Sequence, residues 1–153
     1  MSPDQMRRRL ESAWTAFEDS YAGLGDAQLL VPGVTGHWSV REIIAHVTWG
    51  EEEALKHLPL LQAGGRPPRY SVQYGVIDAG NALMTDRTRS LSLGDVLRRH
   101  DEIHRALLDY VHAAPPELLA TETRFRRRIR LDAYGHYPVH AAAIRRWRMS
   151  RGW

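Results

Sequence analysis

Cysteine is absent from this sequence, which excludes disulfides, thiolate metal sites and a cysteine nucleophile. Any bound metal would have to rest on nitrogen and oxygen donors. The lack of disulfides also matches a reducing compartment, so a cytoplasmic location is expected. Long apolar runs are missing too. The longest uncharged stretch, Ala27 to Val40, is interrupted by Pro32, Gly33 and Gly36, and a bilayer span needs ~20 apolar residues. The opening MSPDQMRRRL has no apolar h-region, so neither a signal peptide nor a membrane partner is expected. Lysine is nearly missing: Lys56 stands alone among 21 basic residues, the rest being arginine, and 18 acidic residues leave a net charge of +3.

What is present fits an ordinary globular chain. With 153 residues, 43% hydrophobic and 25% charged, the chain is long enough to bury a core and is expected to form one domain over residues 1–153. No internal repeat or low-complexity segment interrupts it.

Helix starts are well marked. Ser2-Pro3-Asp4-Gln5 combines a cap, a first-turn proline and a glutamine that can complete a capping box. Behind it Met6, Leu10, Ala13, Phe17, Tyr21 and Leu24 recur at three- and four-residue steps, which predicts an amphipathic helix. Gly25 to Trp38 reads as a loop. Ser39 and Glu42 form a second capping box, with Trp38 placed to staple onto Ile43. A second helix is expected from Val40 to about His57, ending before Pro59. Leu61 to Tyr70 is a Gly- and Pro-rich connection, followed by a short helix around Ile77 to Arg87. Ser92-Leu93-Gly94-Asp95 opens a third long helix, whose face carries Val96, Leu97, Ile103, Leu107, Leu108 and Val111 and which stops at Pro115 and Pro116. Thr121 to Leu131 alternates arginine with Phe125, Ile129 and Leu131 and reads as extended. A last helix runs from about His136 to Arg148. The sum is an all-α four-helix bundle with one long crossover that carries a short extra helix.

The chemistry concentrates in histidine. His136 and His140 are four residues apart, so on a helix their side chains lie on adjacent turns of one face, ~5–6 Å apart. Two imidazoles so placed can reach one divalent ion. Pro138 lies between them and is tolerated only in a first helical turn, which puts the helix start at Gly135 or His136 and the pair at the helix mouth. His100 and His104 have the same spacing on the third helix, and spacing alone does not choose between the pairs. His46 lies at the border of the second helix's apolar face, beside Trp49 and Glu53, where a ligand and a carboxylate-bonded core histidine look alike.

Two motifs break the tie by resemblance. Trp38-Ser39-Val40-Arg41-Glu42-Ile43-Ile44-Ala45-His46-Val47-Thr48-Trp49-Gly50-Glu51 and Tyr134-Gly135-His136-Tyr137-Pro138-Val139-His140-Ala141, the second followed by Ile144 and Trp147, resemble the DinB-like (YfiT-type) metalloenzyme superfamily. Within it the sequence is most similar to the ClbS/DfsB-type branch. Asn81 and the stretch Arg89 to Leu108 carry the likeness between the motifs. The resemblance implies a four-helix bundle, often a homodimer, with a divalent metal (Zn, Ni, Fe or Mn) on His46, His136 and His140. It leaves His100 and His104 as packing or hydrogen-bonded residues. Three neutral nitrogen donors leave a position open, as in catalytic rather than closed structural sites. Relatives include S-transferases and isomerases that use a low-molecular-weight thiol such as mycothiol or bacillithiol, and a cyclopropane hydrolase that protects against a genotoxin.

Around that trio, Glu53 is a candidate to orient His46 or act as a base, and Tyr74 is a candidate catalytic group in the crossover that, with Asn81, would roof the site. Glu51 and Glu52 read as solvated, and Tyr137 as a packing residue. Arg124, Arg126, Arg127, Arg128 and Arg130 form the densest charge cluster. With few aromatics for base stacking and no DNA-binding motif, it reads as a solvated segment with Phe125, Ile129 and Leu131 inward, so nucleic acid is not an expected partner. Two functions then compete: a metal-dependent enzyme acting on a small molecule by thiol transfer or hydrolysis, and a non-catalytic protein that binds and sequesters one. A nucleic-acid-associated stress protein ranks behind both.

Overall fold

The computed structural model describes residues 1–75 and 77–153. It is built from helices: α1 (Pro3–Tyr21), α2 (Asp26–Leu29), α3 (Val40–Gln62), α4 (Tyr70–Tyr74), α5 (Ile77–Thr88), α6 (Leu93–His112), α7 (Glu117–Ala120), α8 (Arg124–Ile129), a π-helical turn (Arg130–Tyr134) and α9 (Tyr137–Arg151). Among the described residues the only extended pairing is an isolated bridge between Thr35 and Trp38. The long helices α1, α3, α6 and α9 make an all-α bundle, in which α3 packs chiefly on α6 and α1 on α9, while α1 also meets α6. No described helix is long and apolar enough to cross a membrane.

Local rules place the helix starts. Ser2 and Gln5 cap each other reciprocally, with Gln5 N donating to Ser2 Oγ at 3.1 Å and Ser2 N to Gln5 Oε1 at 2.7 Å. Ser39 N donates to Glu42 Oε2 at 3.0 Å, and Asp95 N to Ser92 Oγ at 3.1 Å. The core is one apolar cluster fed by Met6, Leu10, Trp14 and Phe17 of α1, Ile43, Ile44, Val47 and Leu58 of α3, Val96, Leu107 and Val111 of α6, and Ile144 and Trp147 of α9. On α1, Trp14 takes the buried position expected of Ala13, which lies at the edge.

Four expectations need correction. The second helix continues past His57 through Pro59 to Gln62. Pro59 is exposed, its neighbour Leu58 is fully buried, and burying Leu58 outweighs the single backbone hydrogen bond that proline forfeits. The loop before Trp38 holds the short helix α2, closed by Gly25 N donating to Gln28 Oε1. The crossover carries a further short helix, α4, before the expected α5. Residues 121–131 are not extended. Thr123 accepts from Arg126 N at 3.1 Å and starts α8, and Phe125, Ile129 and Ala133 are buried at four-residue spacing. The relevant period was that of a helix, and Leu131, off that stripe, stays 62% exposed.

Several of the arginines find carboxylates or helix ends. Arg126 and Arg130 pair with Glu122, and Arg128 with Asp132. Arg145 and Arg148 of α9 donate to the carbonyls of Ala16, Ser20 and Ala22, which cap a C-terminal turn of α1 that has no basic residue of its own.

Because Phe125 is 1% exposed and anchors α8 beneath the π turn, Phe125→Ala is expected to cost about 3–5 kcal/mol of stability. Leu131→Ala, at an exposed position, should stay within about 0.5 kcal/mol. Urea unfolding of both variants measures the contrast, and equal effects would refute the docking role of α8.

Candidate metal centre

The site forms where α3 meets the start of α9. His46 projects from the middle of α3. His136 is the residue just before α9, and His140 stands one turn into it. Pro138 occupies the first turn of α9, where its missing N–H costs nothing. Upstream, the π turn closes with Gly135 N donating to Arg130 O at 2.8 Å. A Cβ at Gly135 would lie 2.6 Å from that same oxygen, so only glycine permits the closure.

Gly50 brings the two segments together. A Cβ there would lie 2.8 Å from the Asp132 carbonyl oxygen and 3.2 Å from His136 Nδ1. Lacking one, α3 lets the π turn settle directly against its backbone, one turn beyond His46.

The three imidazoles converge through their Nε2 atoms. His136 Nε2 is 3.0 Å from His46 Nε2 and 3.0 Å from His140 Nε2, and one ring nitrogen from each residue lies within 4.8 Å of the others. A ring nitrogen carries one lone pair or one hydrogen, so protons serve a nitrogen facing two others poorly. A cation accepts all three lone pairs at once. Tetrahedral zinc with Zn–N of ~2.0–2.1 Å would set nitrogens roughly 3.3 Å apart, close to the two 3.0 Å spacings at His136 Nε2. Burial, reinforced by the neighbouring imidazoles, holds His46 down to about 3 and His136 down to about 4, and burial also lowers His140. All three are therefore neutral donors at neutral pH, and the donor set fits a divalent ion.

Beside the trio lies a cavity of about 410 Å³. From α3 it is lined by His46, Trp49, Gly50 and Glu53, from the crossover by Tyr70, Ile77 and Asn81, and from the α8–α9 side by Arg128, Leu131, Asp132 and His136. Trp49 meets Tyr70 and Tyr74 edge-on, making an aromatic wall. Burial pushes the Asp132 carboxyl up to about 6, although Arg128 pulls against it.

The structure places the other expected residues differently. Glu53 makes no hydrogen bond to His46 among the described residues. It accepts from the Tyr74 hydroxyl and lies 3.1 Å from His57 Nε2. Tyr74 thus reaches the site through Glu53, while Tyr70 and Asn81 face the cavity. Glu52 is paired with Arg99 at 2.6 Å. Glu51 is not solvated at all: it is fully buried, accepting from the Tyr137 hydroxyl at 2.6 Å and lying 3.2 Å from His104 Nδ1. Tyr137 is packed, as expected, at 0% exposure.

His100 and His104 form no part of the centre. Both stack on Trp14, with ring centroids at 3.8 and 3.6 Å. Thr48 Oγ1 spends its hydrogen on the Ile44 carbonyl and lies 3.0 Å from His100 Nδ1, so that nitrogen is the donor. Arg128, read as part of a solvated arginine cluster, instead lines the cavity, and Asp132 and His57 were missed. Their four-residue spacings, 128 to 132 and 53 to 57, were visible, but such charged pairs are common on solvated helices.

Comparison with known proteins adds the family. A family model described as the DinB superfamily matches residues 9–143. A solved structure described as Sibling Lethal Factor Precursor - DfsB superposes with a TM-score of 0.79 at 17% identity, covering 99% of this chain and 97% of that one. At that identity the likeness concerns the fold. No protein of curated function matches.

The depressed histidines give acid sensitivity. The unfolded chain takes up protons near the ordinary imidazole value of ~6.5, whereas folded His46, His136 and His100 (about 3) refuse them. Their contribution is present above about pH 6.5 and is lost as pH falls toward 4. Asp132, Glu51 and Glu18, whose values are raised by burial, act in the opposite sense, but three carboxyls stand against five lowered histidines, His46, His57, His100, His136 and His140. The urea midpoint of metal-free protein should be lower at pH 5 than at pH 7, with the His46 and His136 ring resonances still those of neutral imidazole at pH 5. A midpoint that holds or rises would contradict this balance.

Proposed function

The chain belongs to the DinB superfamily, and we propose that it is a divalent-metal-dependent enzyme acting on a small molecule, by thiol transfer or by hydrolysis, at His46, His136 and His140. The observation that carries this is the convergence of three neutral, largely buried Nε2 atoms on one point at the edge of a cavity. Zn, Ni or Fe suits imidazole donors, whereas Mn, the remaining candidate, would draw more on the oxygen of water or a carboxylate. When bound, such an ion supplies Lewis acidity, polarising a carbonyl or lowering the pKa of a thiol or water.

The chain's own residues supply the rest. The cavity is of small-molecule size, within the ~300–1,000 Å³ of typical ligand pockets. Trp49 and Tyr70, together with the largely exposed Ile77 and Leu131, give it an apolar wall that can hold a substrate body. Asn81 offers an amide to a polar substituent. Glu53 and Asp132 are the carboxylates available to take a proton from a thiol or water. Tyr74 and His57 hold Glu53 at its two oxygens and orient it, and Arg128 does the same for Asp132. We further propose a low-molecular-weight thiol as cosubstrate for the transfer reaction, and a cytoplasmic homodimer as the working form.

Elemental analysis of tag-free protein is expected to find about one divalent ion per chain, and His140→Ala should lower that occupancy at least tenfold. Full occupancy in His140→Ala would remove the site assignment. For the reaction, mass spectrometry after incubation with substrate and thiol separates the outcomes: gain of the thiol marks transfer and gain of water marks hydrolysis. A ligand bound at saturation and returned unchanged would replace catalysis with sequestration.

A further inference from the structure

The least expected feature of the core is a carboxylate. Glu51 is completely buried, yet it lies among apolar side chains where a hydrophobic residue of similar volume is often as stabilising or more so. Stability alone does not account for it. Its partners are specific: the Tyr137 hydroxyl donates to Oε1 at 2.6 Å, and His104 Nδ1 lies 3.2 Å from Oε2. His104 in turn stacks on Trp14 with its ring plane within 6° of parallel. One carboxylate thus ties α3 to α6 and α9, and through the Trp14 stack it braces against α1.

We propose that Glu51 is a positioning residue for the three-histidine centre: fixed by His104, it grips the Tyr137 hydroxyl and so sets where His136 and His140 stand relative to His46. This rests on the metal reading above. The geometry that carries it is adjacency on both sides of one seam. Glu51 follows Gly50, whose missing side chain admits the Asp132 carbonyl and His136 Nδ1. Tyr137 follows His136 and opens α9. Successive helical residues turn by ~100°, so Tyr137 points into the core while His136 faces the cavity, and Tyr137 anchors the start of α9 without competing for an ion. Neither His136 Nδ1 nor His46 Nδ1, both buried, has a hydrogen-bond partner among the described residues. These rings are therefore not oriented through their second nitrogens, as metal-bound histidines usually are, and the constraint has to come through the backbone that carries them.

Cobalt(II) titration of tag-free protein tests this, read as affinity and as the visible d–d spectrum. Tyr137→Phe keeps the ring and deletes the hydroxyl. Glu51→Ala deletes the acceptor. Each is expected to weaken cobalt binding about ten- to a hundredfold, as loss of ligand-orienting groups does, and to alter the d–d band. The double variant should be no worse than Glu51→Ala alone, because both remove one interaction. Glu51→Gln, whose amide oxygen still accepts from Tyr137, should bind at least tenfold tighter than Glu51→Ala. Wild-type affinity and spectrum in Tyr137→Phe would overturn the proposal. If wild-type protein takes up no cobalt, the metal reading falls. The positioning role is then decided in metal-free protein, where Tyr137→Phe should displace the His136 and His140 ring resonances and unchanged resonances would overturn it.

Discussion

The close approach of α3 to the start of α9 at Gly50 is the contact on which the rest of the site depends. With hydrogen in place of a side chain, the helix carrying His46 admits the Asp132 carbonyl and the His136 ring at distances a Cβ would forbid. The π turn Arg130–Tyr134 delivers those groups, and Gly135 closes it. Two glycines, one on each side of the seam, thus make room for three imidazoles to meet. Neither position is interesting in isolation; each matters because of what the other side brings.

Burial then decides the chemistry of the polar groups. The same desolvation that holds His46 and His136 neutral pushes Asp132 up to about 6. The result is a set of unprotonated nitrogens beside a carboxyl that changes state near neutral pH, which suits a centre that binds a cation and handles protons. The other buried histidines are divided by environment. His100 and His104 are absorbed by stacking on Trp14 and by hydrogen bonds to Thr48 and Glu51, while His57 goes to Glu53. Some of the arginines prominent in composition are engaged with carboxylates and helix-end carbonyls, among them Arg126, Arg128 and Arg130 of the densest cluster. The fold shared with DfsB carries no reaction with it, since one bundle architecture serves many chemistries.

How much was legible beforehand differs by element. The long helices were, because caps such as Ser2–Gln5 and Ser92, and apolar stripes of period 3.6, are local signals. The segment 121–131 was not, since alternating arginines mimic a strand and only docking of Phe125 and Ile129 against the bundle shows the helical period. His136 and His140 were visible as a pair and Pro138 located them at a helix mouth, but His100 and His104 looked equally good. The family resemblance pointed to His46, and the structure brings those three together.

The sequence by itself determined the helical class, the positions of most helix starts, and the restriction of any metal to nitrogen and oxygen donors. These follow from local periodicity, capping and composition, which need no knowledge of distant residues. Only the tertiary structure decided that Glu51 is buried and bonded to Tyr137, that Glu53 serves His57 and Tyr74 instead of His46, and that Arg128 and Asp132 line the cavity. Those facts depend on which helix faces cross, and residues 86 positions apart, such as Glu51 and Tyr137, leave no local trace of meeting.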